Sequence, residues 1–540
     1  ISSSDANAIL PANAALIGGT RTFSLTNRTA GSWTVTATDV TQAGISADTS
    51  TLFPVNPGAL TKLQLLVPGE RAVPGTGAGK SGTPAGQNTD SAFEVTVNAV
   101  DGHWNVVDTV GDTVAITASD ANALLPANAA LSGGTGTFSV RLNTAGNWTV
   151  TATDVTDGSK AADTSAAIPV NLGAFAQLQV LLPGETAAPG SPTGKTGSPT
   201  VQTAGTGYSV IVNAVDGNWN LIDANDTVAI SSSDANAILP ANAALIGGTL
   251  TFSLTNQISG YQTVTASDVT QPGIGSGTSA ALTIQPATAT QLVIGVAPSA
   301  AATARVPFAP QPVILIEDAY GNVRSNDTLV VTATRDAGAG TLLGTTNVTA
   351  VGGIASFSDL AHSYVTNITI QFSSGSLTPA ISGTIAVGPG PFSQLQVLVP
   401  GETATPGVAP GKTGSPDVQT AGMGYTVTVH AVDADYNLIN TNDTVQVTSS
   451  DPHAGLPADG ALSGGTMTFT VTNRTVGSWT VTASDVTHPG IAADTSSAVV
   501  VATGEFVKLQ VLLPGETAAP GTSTGKTGSP TVQTAGTGYS

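Results

Sequence analysis

The chain repeats itself at the length of a whole domain, and this limits its fold more than any other feature. The phrase "LQVLLPGE" at Leu178 returns as "LQLLVPGE" at Leu63, "LQVLVPGE" at Leu395 and "LQVLLPGE" at Leu509, with a weaker copy, "LVIGVAPS", at Leu292. The steps between copies are 115, 114, 103 and 114 residues. A helical solenoid or a propeller blade repeats at a much shorter period, whereas an independent domain has this size. The predicted organisation is a partial repeat over 1–62, complete repeats over 63–177, 178–291, 292–394 and 395–508, and a partial repeat over 509–540. The opening "ISSSDANAIL" matches the stretch at Ile230, and the closing "TAGTGYS" matches the stretch ending at Ser209. The expectation is therefore a window on a longer array, with any signal peptide, anchor or effector domain outside it.

Within one repeat, hydrophobic residues recur with a period of two. From Leu178, "LQVLLP" reads as a strand, 183–206 as a long Pro/Gly/Thr loop, and "YSVIVNAV" as a second strand. After the turn "DGNWNLIDAN" come strands "DTVAISSS", "TLTFSLT", "YQTVTASDV" and "TSAALTI", with the poorly periodic "DANAILPANAALIGG" between the first two. Alternation of this kind, punctuated by turns, predicts antiparallel sandwiches: an all-β chain of tandem Ig-like domains forming an elongated array. A phenylalanine recurs at Phe23, Phe138, Phe252, Phe357 and Phe469. A second aromatic, soon after a glycine, recurs at Trp33, Trp148, Tyr261 and Trp479. Both sets are expected as plugs between two sheets.

Composition agrees and excludes several function classes. Glycine (62) and proline (32) are abundant, and only 4% of residues are aromatic. The formal net charge is −20, which repels nucleic acid and anionic membrane surfaces. No apolar run is long enough to span a bilayer. Without cysteine there are no disulfides, thiolate metal sites or cysteine nucleophiles. His103, His362, His430, His453 and His488 fall at different repeat positions, so no shared catalytic site emerges. The chain is not expected to be an enzyme.

The repeat at Leu292 contains "VILIEDAYGNVRSNDTLVVTATRDAGAGTL" followed by "VTAVGGIASFSDL". It resembles the bacterial Ig-like domains of invasin- and intimin-type adhesins. Asp318, Gly321, Asn322, Thr328, Gly353 and Phe357 stand where that pattern expects such residues. The other repeats carry variants with a longer Pro/Gly loop. The resemblance implies a rigid extracellular stalk or filament on a prokaryotic cell surface, with binding activity usually in a specialised terminal domain.

"PGSPTGKTGSP" at Pro189 imitates a phosphate-binding loop. The glycine before Gly194-Lys195-Thr196 is one residue too close, and the following "GSPTVQTAG" has no helical period. Nucleotide binding is excluded on that ground. A charge regularity is more informative. Of seven lysines and seven glutamates, four of each lie in this loop, always ten apart: Glu70 and Lys80, Glu185 and Lys195, Glu402 and Lys412, Glu516 and Lys526. Such a pair either pins the loop to its own domain or marks a contact with a neighbouring module or chain. The repeat at Leu292 lacks it and is expected to pack differently.

Calcium is the one cofactor the spacing suggests. Asp216, Asn218 and Asn220, and likewise Asp433, Asp435 and Asn437, place oxygens at alternate positions of a turn, with Asp226 or Asp443 available to complete a shell. Asp39, Asp154, Asp268 and Asp485 at domain edges are further candidates. The competing explanation is that Asp and Asn bond their own turn backbone.

Three functions remain open on sequence. The first is a structural component of an extracellular filament, sheath or fibre, self-associating or packing on modules of the same chain. The second is an adhesin stalk presenting a distal domain to host or neighbouring cells. The third is a carbohydrate-binding array using Trp104, Trp219, Tyr320 and Tyr436 on surface glycans. At roughly 3.3 Å per strand residue, each module would measure about 35–45 Å.

Overall fold

The structure is a computed structural model that describes all residues 1–540. It contains strands and no helix, and so no helix long and apolar enough to cross a membrane. The chain forms two compact units, Ile1–Gln285 and Pro286–Ser540, each considered by itself. Four separate hydrophobic cores occur, one inside each complete repeat. First strands begin at Lys62, Gln177, Ala289 and Gln394, one to three residues ahead of the repeated leucine.

The module of residues 177–285 shows the plan. Its strands are β1 (Gln177–Leu181), β2 (Glu185–Ala187), β3 (Lys195–Gly197), β4 (Gln202–Thr203), β5 (Tyr208–Val215) and β6 (Thr227–Ser232). Then follow β7 (Ala243–Ala244), β8 (Thr249–Leu254), β9 (Gly260–Gln262), β10 (Val264–Asp268), β11 (Gly277–Thr278) and β12 (Leu282–Gln285). One face of the sandwich is the sheet β1-β5-β8, and the other is β7-β6-β10-β11. A third ribbon, β4-β12-β9, closes the side, with β4 parallel to β12. Val210, Val212, Phe252, Val228, Val264 and Leu282 meet between the layers.

Two predicted strands are each two strands in different sheets. "YQTVTASDV" changes sheets between β9 and β10, and "TSAALTI" changes between β11 and β12. A switch of this kind removes backbone partners, and hydroxyls replace them. The Val264 amide donates to Ser279 Oγ at 3.0 Å, and the Thr263 amide donates to Ser233 Oγ at 2.9 Å. The same serine bond recurs from Val150 to Ser165, Ile370 to Ser382 and Val481 to Ser496. The Ser/Thr richness thus serves the buried backbone, which must be paired wherever water is absent.

The loop predicted over 183–206 is not structureless. It carries the β2–β3 hairpin and the short strand β4. Phe138, Phe252, Phe357 and Phe469 are buried plugs. The second aromatic set needs a correction. Trp148 and Trp479 pack on their cores, and each donates its indole N–H to a threonine carbonyl four residues earlier. Tyr261 does not belong with them; it is 80% exposed, and Gln262 takes the inward place. Along a strand a one-residue slip reverses the face, so a match by residue type alone chose the wrong position.

Removing one of the serine hydroxyls would orphan a buried amide. Ser279→Ala should destabilise its module by about 1–3 kcal/mol in chemical denaturation, while Ser276→Ala, outside this pairing, should change little.

Candidate functional site at the module joints

Where β5 ends, the chain turns through Asp216-Gly217-Asn218-Trp219-Asn220, and this turn builds the joint to the preceding module. Asp216 is fully buried, so its carboxylate must find donors inside the protein. Oδ1 accepts the amides of Asn218 (2.8 Å) and Asn220 (2.9 Å), and Oδ2 accepts Thr89 Oγ1 (2.8 Å) and the Gly173 amide (3.1 Å). Asn220 Nδ2 donates to both oxygens. Gly173 lies in the linker and Thr89 in the preceding module, so one carboxylate fastens its own turn, the linker and a neighbour. Burial pushes Asp216 upward, but bonds from Asn220, Thr89, Gly173 and Asn218 outweigh it and hold the carboxyl below its usual range.

The linker bond occurs in all four complete modules. Gly58, Gly173, Ala287 and Gly390 donate their amides to Asp101, Asp216, Asp318 and Asp433 at 2.8, 3.1, 2.8 and 2.8 Å. The last residue of the turn reaches across. Asn220 accepts the Ala145 amide (3.0 Å) and donates to the Asn143 carbonyl (2.9 Å). Asn105 repeats this with Ala30 (2.8 Å) and Arg28 (2.9 Å). The third position also crosses: Asn218 bonds the Thr89 carbonyl and Arg141, and Asp435 pairs with Arg305.

Asp216, Asn218 and Asn220 are therefore brought together, as are Asp433, Asp435 and Asn437, and their contacts are protein donors. Asp433 accepts the amides of Asp435, Asn437 and Gly390 and the side chain of Asn437. A cation at these turns would have to displace those N–H groups. Asp226 and Asp443 lie elsewhere, facing Asp268 and Asp485.

The long loop lies against the same turn. Gly194 has φ +73°, and a β-carbon there would sit 2.2 Å from Trp219 Cδ2. Gly79 on Trp104 and Gly411 on Tyr436 repeat the contact. The glycine of the phosphate-loop mimic is thus the residue on which the turn's aromatic ring rests. Trp104 is also covered by Lys62 Nζ, 3.3 Å from the ring centroid. These three rings anchor the loop. Tyr320, in the module without the long loop, is 42% exposed.

Each glutamate pairs with its lysine inside its own loop: Glu70–Lys80 at 3.5 Å, Glu185–Lys195 at 2.8 Å, Glu402–Lys412 at 3.1 Å and Glu516–Lys526 at 2.7 Å. The glutamates also accept the amides of Val67, Leu182, Val399 and Leu513. The lysines donate to carbonyls of the first strand, Leu65, Val180, Val397 and Val511. The pair therefore pins the hairpin to its own module. The contact with the neighbour is made at the hairpin tip, where Asn7 donates to the Pro74 carbonyl (3.2 Å) and Asn122 to the Pro189 carbonyl (3.1 Å). Sequence reasoning missed Asn7 and Asn122, although the repeated "DAN" of the connecting segment marks both.

No protein-family model and no curated protein matches the chain. Among solved structures it is similar to the Escherichia coli adhesin FdeC, at 14% identity over 62% of this chain and 100% of that one, TM-score 0.30. It is similar also to invasin, a bacterial integrin-binding protein, at 15% identity over 82% and 79%, TM-score 0.25. A third is domains 4–9 of the surface layer protein SbsC, at 15% identity over 88% and 70%, TM-score 0.19. At these TM-scores the likeness carries no argument of its own. The sandwich assignment rests on the sheets above.

Asp216→Ala should cost about 3 kcal/mol or more, because several buried donors lose their acceptor together. Asp101, Asp216 and Asp318 are depressed in the fold, so their stabilisation is complete above the ordinary carboxylate range and is lost as pH falls through their lowered values. Melting temperature should thus drop steeply below about pH 4. A flat profile from pH 5 to 3 would contradict this. Gly194→Ala should lower stability by about 1–3 kcal/mol through the clash with Trp219.

Proposed function

We propose that this chain is a stiffened structural segment of a bacterial surface protein, a stalk that holds other parts away from the cell. The observation that carries the reading is the repeated joint. The residues that hold each turn together also bond the linker, and at Asn105 and Asn220 they bond the preceding module as well. A flexible tether would leave its linkers solvated and free, as Gly/Ser-rich connectors do. Here the linker amide is bound to a buried carboxylate, and a loop longer than 20 residues is folded down beside it. The likeness to bacterial adhesins and a surface layer protein is in keeping with a cell-surface location.

A second reading, lateral assembly into a fibre or sheath, draws on the scarcity of charge. Only 9% of residues are charged, so faces rich in Thr, Ser and Val could pack with little desolvation of ions. Negative-stain images separate the two. Isolated beaded threads with a narrow spread of bend angles are expected for the stalk; ordered polymers would favour the fibre. In the double variant Asn122→Ala, Asn218→Ala the joint just before residue 177 should bend more widely while each sandwich keeps its circular dichroism. An unchanged spread of angles would overturn the stiffening role of these contacts.

A further inference from the structure

Three modules hold a pair of aspartates that the joint does not use. Asp112 faces Asp154, Asp226 faces Asp268, and Asp443 faces Asp485. The first of each pair immediately precedes a strand and the second closes the antiparallel neighbour, in the register Val114↔Asp154, Val228↔Asp268 and Val445↔Asp485. The pairs thus lie at one end of the four-stranded sheet, the end where the chain enters the module.

The closing aspartate is divided in its use. Oδ1 accepts amides of the following turn: Thr156 and Asp157 on Asp154, Thr270 and Gln271 on Asp268, His488 on Asp485. Oδ2 of all three has no hydrogen-bond partner, although Asp154, Asp268 and Asp485 are only 2%, 7% and 6% exposed. A buried carboxylate oxygen without a donor is costly, and the same oxygen is left over in three modules, each time beside a second carboxyl.

The divergent module offers an internal comparison. Counted from the strand residue that bonds the serine hydroxyl, Ser374 stands where Asp268 does, so the second carboxylate is gone. The first is gone as well: Leu329 stands where Asp226 does, its carbonyl accepting the Ala350 amide as that of Asp226 accepts the Leu245 amide. Both carboxylates are thus replaced together by uncharged residues in this module.

We propose that the pairs Asp112/Asp154, Asp226/Asp268 and Asp443/Asp485 each bind a hard divalent cation of the calcium class through the free Oδ2 and the facing carboxylate. Two carboxylates with water in the remaining positions suit calcium, which takes six to eight oxygens in flexible geometry. In the third pair His488 Nδ1 lies 2.6 Å from Asp443, and the ligand atoms of Asp443, Asp485 and His488 all fall within 4.8 Å of one another. These sites are separate from the joint turns, where the carboxylate oxygens of Asp216 and Asp433 are taken by protein donors, and they do not depend on the stalk reading.

The test uses the whole chain, stripped with chelator and titrated with calcium chloride at neutral pH. Calorimetry should show about three sites of millimolar to submillimolar affinity, the range of extracellular modules. Melting temperature should rise by about 3 °C or more at saturation. Asp268→Asn should remove one site and leave the others, and the triple variant with Asp154→Asn and Asp485→Asn should remove the response. Asn218→Ala, at the joint, should leave the stoichiometry unchanged. Two results would overturn the proposal. One is calcium binding that survives in a folded triple variant. The other is no heat and no thermal shift at about 10 mM calcium, ten times the weakest expected constant, with stability instead climbing as pH falls toward 5. That second outcome would assign the pairs to a shared proton.

Discussion

A buried carboxylate at the start of each inter-strand turn holds the joints together. Asp101, Asp216, Asp318 and Asp433 are each enclosed by donors from their own turn and from the linker just before the module. A charge in so dry a place is tolerable only when its acceptor sites are filled. That requirement dictates the neighbourhood: an asparagine four residues on, a linker residue with a free amide, and a chain path that brings them together. At Asp101 and Asp216 the turn, the linker and the preceding module are held by one set of bonds, so the joint forms as the module folds.

The long loop adds a second layer to the same joint. Its glycine receives the ring of Trp104, Trp219 or Tyr436, and its Glu–Lys pair fixes the hairpin to the first strand. Loops of this length are normally mobile. Here mobility is removed by a buried glutamate, side-chain exposure 2–4% in the three complete long-loop modules, whose oxygens take both an amide and an ammonium. Of this loop, the neighbouring module bonds the rigid tip, at Pro74 and Pro189. The module at Leu292, with no such hairpin, uses Arg305 and an ion pair at its own joint to the next module.

Much of this was legible in the residues. Period-two alternation identified the main strands, and Phe138, Phe252 and Phe469 were found where core plugs were expected. The Glu–Lys pair was visible because charge is so scarce elsewhere. The sheet switches were not legible, because "YQTVTASDV" keeps its alternation across the point where the backbone changes partners. Tyr261 shows the same limit: its residue type matches tryptophan, yet the strand register turns it outward and Gln262 inward.

The sequence by itself determined the module, its size, its two-layer β architecture and the special turn at Asp216, since these depend on local pattern and repetition. Only the tertiary structure decided what the turn's oxygens bind. The spacing of Asp216, Asn218 and Asn220 suits a cation and an Asx turn equally well. The choice depends on Thr89 and Gly173, which lie 127 and 43 residues away from Asp216 in sequence. The same holds for the aspartate pairs. Asp226 and Asp268 become neighbours only when two antiparallel strands align, because a carboxylate's chemistry is set by what surrounds it in space.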